Sequence, residues 1–216
     1  MISKPSGPHT RRYDHGIRLR RRIPREHHAD LRGPANRDPV AILAAGDRTR
    51  VPELISVRYE RMLASPFAFL RGAAAVMGEN LKHQASPGVA VQACGDCHLM
   101  NFGAFATPEE NILFDINDFD ETLPEIDFTV DLKRLAASVA VAALAANFSK
   151  KQARAAAAAT IESYRTRMRR LVLAGYMGKS GAFDDALASF AMAYATRTQN
   201  DYDKLAKSRW GPKKQG

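Results

Sequence analysis

Beyond residue 50, apolar positions recur with a helical period over most of the chain. Val51 to Ala64 sets Leu54, Val57, Arg58, Arg61 and Met62 on helical spacing, with Pro52 suited to a first turn. Ser65-Pro66 ends that segment, and a second helix is predicted from about Pro66 to Gln84, carrying Phe67, Phe69, Leu70, Ala74, Met77 and Leu81. Ser86-Pro87-Gly88 reads as a turn. Val89–Ala93 and Asn111–Ile116 are short β-prone runs, with a turn at Pro108-Glu109-Glu110 between them. From Phe128 to Phe148 the chain is rich in Ala, Val and Leu on nearly every side, which predicts a buried helix with Asp127 and Asp131 as caps. Ser149-Lys150-Lys151-Gln152 is a capping-box pattern opening a helix that runs to about Leu173. A loop at Gly175–Gly181 and an amphipathic helix from about Phe183 to Lys207 complete the pattern. The fold class predicted is α+β, mostly helical, with a short two-stranded β element.

Composition narrows this picture. With 45% hydrophobic and 25% charged residues, the chain of 216 residues has the balance of a soluble globular protein. It contains no apolar run long enough to cross a membrane, its start has no apolar stretch of the secretory kind, and the cytoplasm is the default compartment. The charge is uneven: residues 1–50 hold 12 Lys+Arg against 5 Asp+Glu, a net +7 of the chain's +9. Arg18, Arg20, Arg21, Arg22 and Arg25 form the densest cluster. With no apolar periodicity, residues 1–49 read as a basic, poorly ordered leader in which His27 and His28 face solvent. Nucleic acid is disfavoured as a partner, because no aromatic residues interleave with the arginines.

The chemistry lies around the predicted β element. Asp96 directly follows the first β-prone run, and Asn101 comes five residues later. Beyond the second run come Asp115, Asn117, Asp118 and Asp120. Phosphoryl transfer from a nucleotide needs a carboxylate to accept the hydroxyl proton and oxygen ligands to hold Mg²⁺ against the phosphates. An Asp, an Asn a few residues on and an Asp after the next strand supply these groups in kinases. Asp96, Asn101 and Asp118 fill those places, with Asp118-Phe119-Asp120 where the metal-binding Asp-Phe-Gly would stand. Asp115 is the alternative ligand, since a register slip would exchange it with Asp118. Strand alternation sets those two on opposite faces.

Gly95-Asp96-x-His98-x-x-Asn101 resembles the catalytic loop of aminoglycoside- and choline-kinase-like phosphotransferases. The ordered set Arg50-Val-Pro-Glu-Leu, Arg61-Met-x-x-Ser-Pro-Phe-x-Phe-x-Arg71-Gly, Cys94-Gly-Asp-x-His-x-x-Asn-Phe-Gly and Phe114-Asp-x-Asn-Asp-Phe-Asp-Glu121 more closely resembles an uncharacterised bacterial family, DUF2252, grouped with the kinase-like folds. The resemblance runs from about Arg50 to Arg170. It implies a helical domain like a kinase C-lobe, carrying a catalytic loop and a metal loop. It implies Asp96 as catalytic base, His98 and Arg71 as supporting polar residues, and Asn101 and Asp118 as metal ligands, with Asp115 and Asp120 beside them. ATP and Mg²⁺ are the implied cofactors, and a nucleotide and a phosphate acceptor the implied partners.

The family's glycine-rich loop and its Val-Lys-Glu segment have no counterpart in this sequence. Gly175-Tyr-Met-Gly178-Lys179-Ser180-Gly181 lacks the four-residue spacer of a Walker loop. The stretch from Ala174 to Leu205 resembles the family's last helix, and residues 174–216 read as that helix with a basic tail, so the chain reads as lacking its middle. A non-catalytic remnant or binding protein is therefore the alternative reading, and the apolar surface left by a missing half would favour self-association. A second alternative is c-type haem attachment through Cys94-x-x-Cys97-His98, with Met100 or Met192 opposite. Against it, no export signal is visible and the acidic residues that follow have no task in a cytochrome. Packing beside the loop is the plain alternative for both thiols.

Overall fold

A computed structural model describes residues 8–34 and 36–212. Nine α-helices and four short strands follow the order α1 (Pro8–Arg22), α2 (Pro39–Gly46), α3 (Pro52–Met62), α4 (Pro66–Gly72), α5 (Ala74–Leu81), β1 (Ala90–Ala93), β2 (Phe102–Ala106), β3 (Ile112–Ile116), β4 (Leu123–Asp127), α6 (Thr129–Ala145), α7 (Lys150–Arg167), α8 (Leu171–Met177) and α9 (Ala182–Ala206) among the described residues. The class is α+β and mostly helical, as the periodicity predicts.

The β structure is larger than a single pair. β1 pairs antiparallel with β4, and β2 antiparallel with β3. The two β-prone runs of the sequence therefore do not pair with each other. Their partners, Phe102–Ala106 and Leu123–Asp127, are interrupted by Gly103, Pro124 and Glu125 and carry little strand signal.

Two helices also break where a single one is predicted. α4 ends at Gly72, where two guanidinium groups reach its last carbonyls. Arg58 donates to the Gly72 carbonyl at 2.8 Å and Arg134 to that of Leu70 at 3.0 Å. Beyond α7, Met168 and Arg170 are extended (ψ 118° and 112°), and α8 starts in a new direction. The capping box at Ser149 forms as predicted, with Gln152 Oε1 accepting the Ser149 N–H and Ser149 Oγ accepting the Gln152 N–H.

α8 turns to meet α1. A Cβ on Gly16 would lie 2.1 Å from the Val172 carbonyl, and one on Gly175 would lie 2.1 Å from the Tyr13 carbonyl. Two glycines therefore let the helices touch backbone to backbone. The basic N-terminal segment, expected to be a poorly ordered leader, is docked wherever it is described. Leu19 joins the main core. Arg22 reaches the Pro87 carbonyl, Arg25 the Met177 carbonyl, and Arg37 the buried Asp201 at 2.6 Å. His28, expected in solvent, is buried with Nε2 2.7 Å from the Tyr176 hydroxyl, and packs edge-on against Phe183; His27 is exposed. Arginine density concealed these contacts, since a buried guanidinium paired with carbonyls and carboxylates looks like a solvated one in sequence. Residues 1–7 and 35 of that segment lie outside the described residues.

The main core gathers Phe128, Leu132 and Ala136 of α6 and its N-terminus, Ala157 and Ile161 of α7, Tyr176 of α8, and Phe183 and Phe190 of α9. A second cluster unites Leu43, Tyr59, Met62, Phe69, Val76 and Leu205, with Trp210 stacked on Tyr59 at 4.2 Å. No described helix is long and apolar enough to cross a membrane.

Candidate functional site

The loop after β1 owes its shape to Gly95 and to α6. Gly95 has φ +83°, and a Cβ there would lie 2.0 Å from the Glu121 carbonyl, so the position requires glycine. Asp131, expected to cap α6, instead aims both carboxylate oxygens at this turn. It accepts the N–H of Cys94 at 2.8 Å and of Gly95 at 3.0 Å. Burial pushes the Asp131 carboxyl up, while those two N–H groups oppose the shift. Asp127 does act at the helix start, accepting the Thr129 N–H at 3.0 Å, and its other oxygen accepts the N–H of Gly88 and Val89. Ser138 of α6 takes the Leu99 N–H at 2.8 Å. Asp131 and Ser138 of α6 thus hold the backbone of the loop after β1.

Asn101 is the hub of the loop. Its buried side-chain amide donates to the carbonyl of Asp96 at 3.1 Å and to that of Asp118 at 3.1 Å. The Asn117 N–H returns a bond to the Asn101 carbonyl at 2.9 Å. Residues 96 and 118, far apart in the chain, are therefore tied through one side chain. Asp118 follows β3, its Oδ1 accepting the Asp120 N–H at 3.0 Å. Asp115 lies within β3 opposite Gly103, its carboxylate turned onto its own neighbour's N–H. It does not join the Asn101 hub. Glu121, not anticipated from sequence, completes the acidic group. Its carboxyl is pushed up by burial first and then by Asp96, Asp118 and Asp120, which places all three within electrostatic reach.

Asp96 carries a partner that sequence reasoning missed. Arg134, only 1% exposed, sits on α6 and pairs its guanidinium with Asp96 Oδ1. Its Nη2 also reaches the Leu70 and Arg71 carbonyls, and its Nη1 the Met77 sulfur. The signal was the spacing of Asp131 and Arg134, which puts both on the side of α6 facing the loop. Asp96 Oδ2 stands apart from this pair, 3.6 Å from His98 Nε2. His98 is buried and held below its ordinary value, first by loss of solvation and then by Arg134 and Arg71, against the pull of Asp96. Its Nδ1 has no hydrogen-bond partner among the described residues. Arg71 is exposed, and its influence on His98 puts a cation beside the loop.

Cys94 and Cys97 are free thiols, 4% and 5% exposed. Burial pushes both up, Cys97 strongly, which makes them packed and unreactive. Cys94 Sγ lies 3.6 Å from the Asn101 amide and 3.5 Å from the Asp118 carbonyl, so it fills the centre of the hub.

Oxygen donors at Asp118, Asp120 and the Asn101 carboxamide are of the type Mg²⁺ prefers. Yet among the described residues no three His, Cys, Asp or Glu side chains come together as a metal cage. Mg²⁺ is commonly held by one or two carboxylates together with water and phosphate oxygens, so a cage of three side chains is not required to hold it.

Residues 50–172 match the family described as "Uncharacterized protein conserved in bacteria (DUF2252)", and the chain belongs to that family. No curated protein and no solved structure matches the chain.

Proposed function

We propose that the loop following β1, together with the turn following β3, forms a phosphotransfer site that works on a nucleotide with a divalent cation. The observation that carries this reading is the Asn101 side chain, which ties Asp96 to Asp118 through both backbone carbonyls. In this reading Asp96 Oδ2, left unpaired by Arg134, accepts the proton of an acceptor hydroxyl. Arg134 holds the other oxygen and fixes the carboxylate's orientation. His98 stays neutral behind Asp96, and Arg71 supplies an exposed guanidinium for a phosphate. Asp118 and the Asn101 carboxamide, with Asp120 beside them, would hold Mg²⁺, which would offset phosphate charge when bound. A kinase-like relationship and the use of ATP are parts of the same proposal.

A second reading is favoured by a specific observation. Cavities of about 620 Å³ and about 310 Å³ are lined by other residues, not by Asp96, Asn101 or Asp118. A protein that binds ligands there and catalyses nothing would have the same hub as a structural tie. Isothermal titration of ATP with and without Mg²⁺, on the wild type and on Asp118→Ala, separates the two. Mg²⁺-dependent binding lost in the variant supports phosphotransfer. No binding to either folded protein leaves the non-catalytic reading.

A further inference from the structure

The larger cavity, about 620 Å³, lies between the β2–β3 hairpin and the C-terminal end of α7. That volume falls in the range that takes small ligands. Its walls are chiefly apolar: Phe102 and Phe114 from the hairpin, Tyr164 and Met168 from the helix end. Phe102 and Phe114 stack at 5.9 Å with planes 16° apart, so the hairpin contributes an aromatic pair to the groove. Phe114 is nevertheless 74% exposed, a large apolar area for a residue fixed in a strand.

The other component is charge. Arg167 and Arg169 line the same groove. Their neighbour Arg165 is committed to Asp184 at 2.7 Å. Among the described residues, neither Arg167 nor Arg169 pairs with a carboxylate. Arg167 bonds only to Ser163, through its hydroxyl and carbonyl. Burial pushes the Tyr164 hydroxyl up to about 12, so it remains a neutral donor and adds no negative charge. Two guanidinium groups without a carboxylate partner, lining one groove with an aromatic pair, would recognise a flat ring bearing an anion. The ring gains stacking and apolar contact, and the anion gains charge-assisted hydrogen bonds.

We propose that this groove binds a small aromatic anion, its ring against Phe102 and Phe114 and its phosphate or carboxylate on Arg167 and Arg169. The site is distinct from the carboxylates around Asn101, although the hairpin serves both.

Isothermal titration with phenyl phosphate tests the proposal, with inorganic phosphate, benzoate and a short oligodeoxythymidine as comparisons. Phenyl phosphate is expected to bind at least about tenfold more tightly than inorganic phosphate, because the ring contributes. Arg167→Gln/Arg169→Gln should weaken it by about tenfold or more, and Phe114→Ser should weaken it as well. All three positions are exposed, so circular dichroism should match the wild type. Benzoate binding as tightly as phenyl phosphate would support the groove with a carboxylate ligand; weaker benzoate binding would support it with a phosphate. Asp118→Ala should leave phenyl phosphate binding unchanged even if it abolishes any effect of Mg²⁺ on ATP. Equal affinity for inorganic phosphate, or unchanged binding in the arginine variant, would overturn the proposal. So would tighter binding of the oligonucleotide than of any small anion, or loss of phenyl phosphate binding in Asp118→Ala.

Discussion

Replacing Arg134 with Met removes the guanidinium that Asp96, Leu70 and Arg71 share while keeping an unbranched apolar stem in the same space. The side chain is 1% exposed and that of Asp96 16% exposed, so the pair sits largely out of water. Breaking such a pair by deleting one partner costs about 3–5 kcal/mol. The Leu70 carbonyl also loses one of its two donors, the other being the Ala73 N–H, which adds about 1 kcal/mol. Asp96 retains some solvent, which moves the ion-pair part toward its lower limit, giving about 4 kcal/mol for Arg134→Met. Asp96→Ala should cost at least as much, because it strands the less exposed member. Urea denaturation at neutral pH, followed by far-UV circular dichroism, measures each free energy without the ionic screening guanidinium would add. In a double-mutant cycle the two changes should couple by about 2–3 kcal/mol, since losing both charges removes the stranded group. A cost below about 1 kcal/mol for Arg134→Met, or strict additivity, would refute the buried pair as the anchor of Asp96.

Further consequences concern the same loop and the helix beneath it. Gly95→Ala should destabilise the protein by about 2 kcal/mol or more, from left-handed backbone strain and collision with the Glu121 carbonyl; a shift below about 0.5 kcal/mol in urea would contradict that backbone. Asn101→Ala removes one donor from each of the Asp96 and Asp118 carbonyls, which keep the His98 N–H and the Cys94 thiol, and should cost about 1–2 kcal/mol, with Asn101→Asp costing more because a carboxylate would face two carbonyls; equal stability of Ala and Asp variants would speak against the hub. Buried Lys133, bonded to the Ala85 carbonyl, is lowered to about 7 by loss of solvation. The unfolded chain then binds more protons than the folded one above pH 7, so stability should rise with pH. Between pH 7 and 9 the gain is about 2 kcal/mol, and it should vanish in Lys133→Met; a flat wild-type profile over that range would contradict it.

How far these features could be read beforehand depends on where their partners lie in the chain. α6, the Ser149 capping box and α9 rest on local periodicity and capping, and the pattern of residues 128–207 contains them. The pairing of β1 with β4 and of β2 with β3 rests on contacts that no local pattern marks, and Pro124 and Glu125 (φ +57°) weaken the strand signal further. Asp96, Asn101 and Asp118 stand in an order that chemistry makes meaningful, and the fold links them at Asn101. Asp115 stood one register step away in sequence but points to its own backbone. Arg134 and Asp131 were invisible as site residues because each acts through a partner more than twenty residues distant. The basic segment misled for a related reason: Gly16 and Gly175 give no apolar signal, yet their missing side chains are what bring α1 and α8 together.

The central claim is that Asp118 and Asn101 hold a divalent cation only together with a nucleotide's phosphates. Water-proton relaxation with Mn²⁺ as the probe tests it directly, comparing Mn²⁺ plus protein, Mn²⁺ plus ATP, and all three. The account predicts little enhancement with protein alone, because the described residues form no cage, and a clear enhancement in the ternary mixture that Asp118→Ala abolishes. No enhancement in the ternary mixture, or an equally strong one without ATP, would contradict it.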